Sequence, residues 1–176
     1  YRGAGQGALE IGHLWLDDPE AGGRTLEQTA SGWAIGARAR ERLEASRQAG
    51  TSGGLLSELC GHDPARMSAP LVAEAAGRGD LLAQEVLSGA VRAMARGLAH
   101  AVTLLAPRRV ILGGGVSLMP APLWIDPIRA ALDRLVFPPF RGTYDVVPAA
   151  LGEEIVVHGA LALARDRAAV APVATP

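Results

Sequence analysis

Arg109-Val110-Ile111-Leu112-Gly113-Gly114-Gly115-Val116 is the stretch on which the fold turns. Four residues rich in branched apolar side chains, bounded by Pro107 and a glycine run, predict a short buried strand over 109–112. Three glycines at a strand's end let the backbone approach a ligand, with amides free to meet a phosphate or a flat base. Such a turn also occurs as plain connecting structure between strand and helix, and by itself it does not choose between the two. A helix over about 122–136 is expected to follow. Tyr144-Asp145-Val146-Val147-Pro148 is a second strand candidate, followed by a Gly152 turn and a last helix over about 155–165. The chain thus reads as α/β, helix-rich with a small sheet, and residues 167–176 read as a disordered tail of small residues and proline.

Upstream of the glycine strand, Leu82, Val86, Leu87, Ala90, Val91, Met94, Leu98, Val102 and Leu105 recur with a period near 3.6. They predict a helix over about 80–105 that Pro107 ends. Gly89, Ala93, Gly97 and Ala101 recur every four residues along it, a spacing that allows close packing of another element. Ser68 is the expected cap of a short helix over 69–78. Ser31 is the expected cap of a helix running to about Gln48, broken by Gly50 and Gly53-Gly54. In that helix Trp33, Ile35 and Leu43 supply apolar surface, and Arg38, Arg40, Arg42 and Glu44 supply a solvated face. Residues 17–25 read as an exposed loop. No internal repeat is present.

At 176 residues, 49% of them hydrophobic, the chain is long enough for one domain with a real core and is not a mainly disordered one. A net charge of −1 argues against an electrostatic nucleic-acid binder. All 17 basic residues are arginine, with neither lysine nor asparagine in the chain, so a P-loop lysine is excluded. Cys60 is the only cysteine, which rules out an internal disulfide or a multi-cysteine metal site and predicts a small buried hydrophobe. No apolar run approaches the ~20 residues of a membrane span and no signal peptide opens the chain, so a cytoplasmic location is expected.

Near the start, Leu9-Glu10-Ile11-Gly12-His13 places a carboxylate and an imidazole three residues apart. Glutamate accepts hydrogen bonds and histidine donates or accepts, so the pair suits a ligand's hydroxyl groups. Glu27, in Leu26-Glu27-Gln28-Thr29-Ala30-Ser31-Gly32, serves equally as a ligand contact or as a first-turn acidic residue favoured by a helix dipole. Taken singly, each of these residues has an ordinary structural reading.

Their order along the chain resembles the ROK family, which groups sugar kinases, related repressors and uncharacterised open reading frames. The series is Glu10-Ile11-Gly12-His13, Leu26-Glu27 with Ala30-Ser31-Gly32, Val110 to Val116, Val147-Pro148-Ala149-Ala150-Leu151-Gly152, and His158-Gly159-Ala160. It touches nearly the whole chain from Gly5 to Ala164. The resemblance implies that Glu10, His13 and Glu27 contact sugar hydroxyls, and that Gly113, Gly114 and Gly115 lie by the nucleotide. It implies a partial actin-like, ribonuclease-H-like kinase lobe over residues 1–166, an ATP-dependent transfer of a phosphoryl group to a hexose with Mg accompanying ATP, and a homo-oligomer.

Two departures from that pattern bear on function. Many ROK proteins hold zinc with the histidine of this motif and three cysteines of a following segment. Between His13 and Leu26 this chain has no cysteine, and Thr25 stands where the last would be, so no zinc is expected. The family's catalytic aspartate and phosphate-binding glycine loops precede Glu-Ile-Gly-His, and none of the aspartates here matches them. The chain therefore reads as the C-terminal part of a ROK protein, with no catalytic residue of its own and inactive alone. The alternatives are the sugar-sensing part of a ROK-type regulator, which meets nucleic acid only through an N-terminal helix-turn-helix, and a non-catalytic module for sugar binding or oligomerisation. The identity of the sugar stays open, as it depends on pocket shape.

Overall fold

The computed structural model describes residues 9–51 and 53–170. Seven α-helices are described: α1 (Glu27–Ala30), α2 (Gly32–Gln48), α3 (Gly54–Leu59), α4 (Ala69–Gly77), α5 (Leu81–Leu105), α6 (Ile125–Leu135) and α7 (Ile155–Val170). The strands are β1 (Arg109–Leu112) and β2 (Asp145–Pro148).

Helix α5 is the axis of the domain. Its buried side Val86, Leu87, Ala90, Val91, Leu98 and Val102 takes α4 and α6 along its length and α1 and α2 beside them. Ile35, Ala39 and Leu43 of α2, Val72 and Ala76 of α4, and Ile128 and Leu132 of α6 complete the core, with Trp124 at 1% exposure beside them. Each large aliphatic side chain so buried contributes about 1.5–3 kcal/mol. Cys60 is fully buried, and its thiol donates to the Ser57 carbonyl at 3.2 Å.

The ends of these helices follow local chemistry. Ser31 Oγ accepts from the Ala34 N–H at 3.3 Å to cap α2, and Asp80 Oδ1 accepts from the Ala83 N–H at 2.9 Å to cap α5. The second oxygen of Asp80 accepts from Leu56 N–H at 3.0 Å, tying α3 to the same cap. Ser68 precedes α4 in extended conformation but makes no side-chain capping bond; Pro70, in the first turn, needs no N–H partner there. Ala106, left-handed at φ 43°, and then Pro107 terminate α5.

The sheet is a two-stranded parallel pair with α6 as its crossover, in register Arg109↔Asp145 through Leu112↔Pro148. At the start of the register the Arg109 guanidinium grips the Asp145 carboxylate with both Nε and Nη2, at 2.7–3.0 Å. That hydrogen bond, with the charge of Arg109, holds the Asp145 carboxyl below its usual range and raises Arg109 in turn. Arg129 of α6 donates to the Val146 carbonyl, at 2.8 Å from Nε. Val146 is buried, while Ile111 on the other face of β1 is 60% exposed.

Several expectations are corrected. The expected helix over 122–136 starts only at Ile125, because Pro120 and Pro122 restrict the backbone ahead of it and a 3-10 turn (Ala121–Leu123) forms instead. The expected tail over 167–176 is helical as far as Val170, continuing α7; residues 171–176 lie outside the described ones. Trp33 faces solvent at 59% exposure rather than the core. The small-residue stripe of α5 is split: Ala93 and Gly97 are buried, whereas Gly89 and Ala101 are half-buried. Helix α3 falls in a stretch with no apolar periodicity long enough to announce it. Among the described residues no helix is long and apolar enough to cross a membrane.

Candidate functional site

Glu10 opens a 3-10 turn over Ile11–His13, its carbonyl accepting the His13 N–H at 3.1 Å. This turn lies against α1. A methyl built on Gly12 would stand 3.5 Å from Glu27 Cβ, so the backbone carrying Glu10 and His13 packs directly on the first turn of α1. Leu26 N–H also donates to the Leu14 carbonyl at 2.9 Å. The three sequence-predicted polar residues therefore share one edge of the domain. All three side chains are exposed, and none makes a hydrogen bond or ion pair with another described residue.

What joins the two ends of this edge is a clip over residues 14–26; the exposed loop expected for 17–25 holds through Arg24 apart from half-buried Gly23, and its last residue, Thr25, is buried. Trp15 and Thr25 form an antiparallel bridge, and Leu16 N–H donates to the Arg24 carbonyl at 3.1 Å. Thr25 and Gln28 cap each other reciprocally: the Thr25 N–H donates to Gln28 Oε1 at 3.0 Å, and the Gln28 N–H to Thr25 Oγ1 at 3.3 Å. Thr25 and Leu26 are buried by this arrangement, while Asp17 to Gly22 stay exposed.

The donor set does not fit the zinc held by many ROK proteins. Tetrahedral zinc needs four nitrogen, sulfur or carboxylate ligands. Here Thr25 Oγ1 is committed to a helix cap, and among the described residues no three His, Cys, Asp or Glu side chains are grouped to hold a metal ion.

The glycine run lies elsewhere on the domain. Gly114 adopts φ 80°, ψ 174°, a conformation natural to glycine, and its carbonyl accepts both the N–H and the hydroxyl of Ser117, at 3.0 and 2.7 Å. The chain then turns through a 3-10 segment (Gly115–Leu118). Val116 in that segment reaches back to the start of α2: a methyl on Gly32 would meet its Cγ2 at 3.3 Å. Between α2, α4 and residues 115–123 runs a groove of about 950 Å³. Small residues Gly32, Gly36, Ala69, Ala73 and Gly77 are part of its lining, together with Trp33, Arg40, Glu74 and Arg78. Of the three predicted glycines only Gly115 lines this groove; Gly113 packs near Ala149. The sequence predicts a short helix over 69–78 but carries no signal that assigns its small residues to a groove.

A profile of the ROK family matches residues 1–167. The chain is 31% identical over 142 residues to the glucokinase of Thermotoga maritima, an alignment that covers 81% of this chain and 43% of that protein. In structure it is similar to a ROK family glucokinase from Streptomyces griseus solved with glucose and AMPPNP: TM-score 0.79, 31% identity, 94% of this chain and 54% of that one. A ROK family transcriptional regulator, a homologue of the E. coli MLC protein, shares the fold at TM-score 0.63 and 23% identity, over 81% of this chain and 35% of that one. The chain thus spans about half the length of the glucokinases it matches. The expected fold class holds: α/β, helix-rich with a small parallel sheet, as part of the actin-like fold of ROK sugar kinases. With a family match from residue 1 to residue 167 on a domain of this fold, the chain belongs to the ROK family.

Proposed function

We propose that this chain is the sugar-holding, C-terminal part of an ATP-dependent hexose kinase. In the complete protein the γ-phosphoryl group of ATP, accompanied by Mg, passes to a sugar hydroxyl, and the 176 residues alone do not turn over. The observation that carries this reading is the packing of the Glu10–His13 turn on Glu27. Similarity to a glucokinase solved with glucose and a nucleotide analogue supports it.

In this reading the Glu10 and Glu27 carboxylates accept hydrogen bonds from neighbouring sugar hydroxyls, and the His13 imidazole donates or accepts a further one. Once the sugar covers these groups, a substrate lacking a hydroxyl leaves a carboxylate unpaired and is rejected. The groove beside Gly115 is assigned to the adenine side of ATP: its lining combines small and apolar residues with Trp33 and Arg40, groups that can meet a flat base. This chain's part in phosphoryl transfer is positioning, the larger part of catalysis for that reaction; none of its own residues is assigned as base.

Calorimetric titration of the complete protein with glucose, mannose and fructose, beside its Glu10→Ala variant, tests the proposal. Saturable binding of one hexose, weakened roughly ten-fold or more in Glu10→Ala at an unchanged melting temperature, is the expected result. A folded protein that binds none of them, or a Glu10→Ala variant that binds as well as the parent, overturns it. Sugar binding without sugar-dependent ATP consumption would leave the sugar site standing and remove the kinase assignment.

A further inference from the structure

We infer that Arg96, in the middle of α5, is a positioning residue for the sugar-holding edge, acting with the Thr25–Gln28 capping pair to hold the clip over residues 14–26 closed. The inference rests on the proposed sugar site. The clip over residues 14–26 begins directly after His13 and ends directly before Glu27, so its closure sets how the two stand to each other. Residues 14–26 contain no cysteine and, among the described residues, no three His, Cys, Asp or Glu side chains are grouped there; the clip is held from below. The Arg96 guanidinium donates through Nη2 to the Leu16 carbonyl and, at 3.1 Å, to Asp17 Oδ1, across about 80 residues of sequence. One residue along, Gly97 leaves the space into which Leu26 packs: a methyl on Gly97 would stand 2.5 Å from Leu26 Cδ2 and 3.3 Å from Cδ1. Arg96 thus secures the strand that follows His13, and Gly97 seats the residue that precedes Glu27. Both come from a single turn of the best-anchored helix of the domain. The Arg96–Asp17 ion pair is exposed and adds little to global stability. Its effect is local, on where Leu16 and hence His13 sit.

The test compares Arg96→Ala and Arg96→Lys in the complete protein, with Glu10→Ala as the control for the site itself. The readouts are KM for glucose, KM for ATP, kcat, melting temperature and the response of melting to a chelator. Arg96→Ala is expected to raise the glucose KM about ten-fold, the scale of one lost charge-assisted hydrogen bond, with ATP KM and kcat within two-fold and the melting temperature nearly unmoved. Arg96→Lys keeps the charge and a donor and is expected to fall between. The melting temperature is expected to ignore EDTA. Three results overturn the inference: an unchanged glucose KM in Arg96→Ala, equal losses for glucose and ATP, or a stoichiometric metal whose removal lowers the melting temperature. If Glu10→Ala weakens glucose binding while Arg96→Ala does not, the clamp alone fails. If neither variant affects glucose, the sugar-site assignment fails and the clamp's role with it.

Discussion

Gly97→Ala is expected to destabilise the parent chain and to stabilise it once Leu26 has been cut back to alanine. Two opposed effects decide the sign. Alanine is the better helix former by about 1 kcal/mol at an interior position such as 97 of α5. Against this, the new methyl would stand 2.5 Å from Leu26 Cδ2, with Cδ1 and Cγ of the same side chain at 3.3 and 3.4 Å. Leu26 is only 3% exposed and has little room to turn away. Overpacking of this kind costs about 1–3 kcal/mol, so the net effect in the parent is a loss of up to roughly 2 kcal/mol. Leu26→Ala alone empties a buried site and costs about 2–5 kcal/mol. In that background the clashing atoms are gone and the helix gain of about 1 kcal/mol remains. The four proteins form a double-mutant cycle with a coupling of about 1–3 kcal/mol. Urea unfolding reads it directly: at a slope of about 2 kcal/mol per molar, 1 kcal/mol moves the midpoint by roughly 0.5 M. If Gly97→Ala shifts the midpoint by the same amount and sign in both backgrounds, Leu26 is not seated on α5 as described, and the account of the clip falls with it.

The Arg109–Asp145 pair makes a pH-dependent contribution of known sign. Because the folded Asp145 carboxyl is held below its usual range, its contribution is present above the unfolded carboxylate pKa and is lost as pH falls through the folded value. Chemical unfolding from pH 7 downward is expected to show a shallower decline for Asp145→Asn than for the parent, the two converging in acid; parallel curves would contradict this. At the groove, Trp33 is the exposed member of its wall, so addition of a non-hydrolysable ATP analogue to the complete protein is expected to change tryptophan emission. The change should shrink in Trp33→Phe, since of this chain's three tryptophans Trp33 alone is in the groove lining; a change that persists undiminished places the nucleotide elsewhere.

Much of the local structure is legible without coordinates, because it depends on contacts within a few residues. Ser31 and Asp80 cap the helices that follow them through bonds three residues long. The period of Val86, Leu87, Ala90, Val91 and Leu98 makes α5 a buried helix, and Pro107 ends it. The strand before Gly113 is readable from its branched apolar residues, but the burial expected for it is not found: Val110 and Leu112 are half-buried and Ile111 is exposed. Where neighbours from elsewhere decide, the reading thins. Proline at 120 and 122 delays α6 by three residues, and α7 continues past the point where the sequence turns to small residues. Trp33 looks like core by its chemistry and stands in solvent beside the groove.

The sequence by itself offered Glu10, His13 and Glu27 as candidate polar contacts and the glycines after β1 as a candidate nucleotide turn, and it determined the motif order that marks the ROK family and the presence of a single cysteine. Tertiary structure alone decided that Glu10 and His13 sit on the same edge as Glu27, that α4 lines one side of the groove by Gly115, and that Arg96 and Gly97 seat the clip. The physical reason is one of range. Side-chain type and helix periodicity are properties of neighbouring residues, whereas a guanidinium meeting a carbonyl about 80 positions away exists only once α5 is packed beneath the clip.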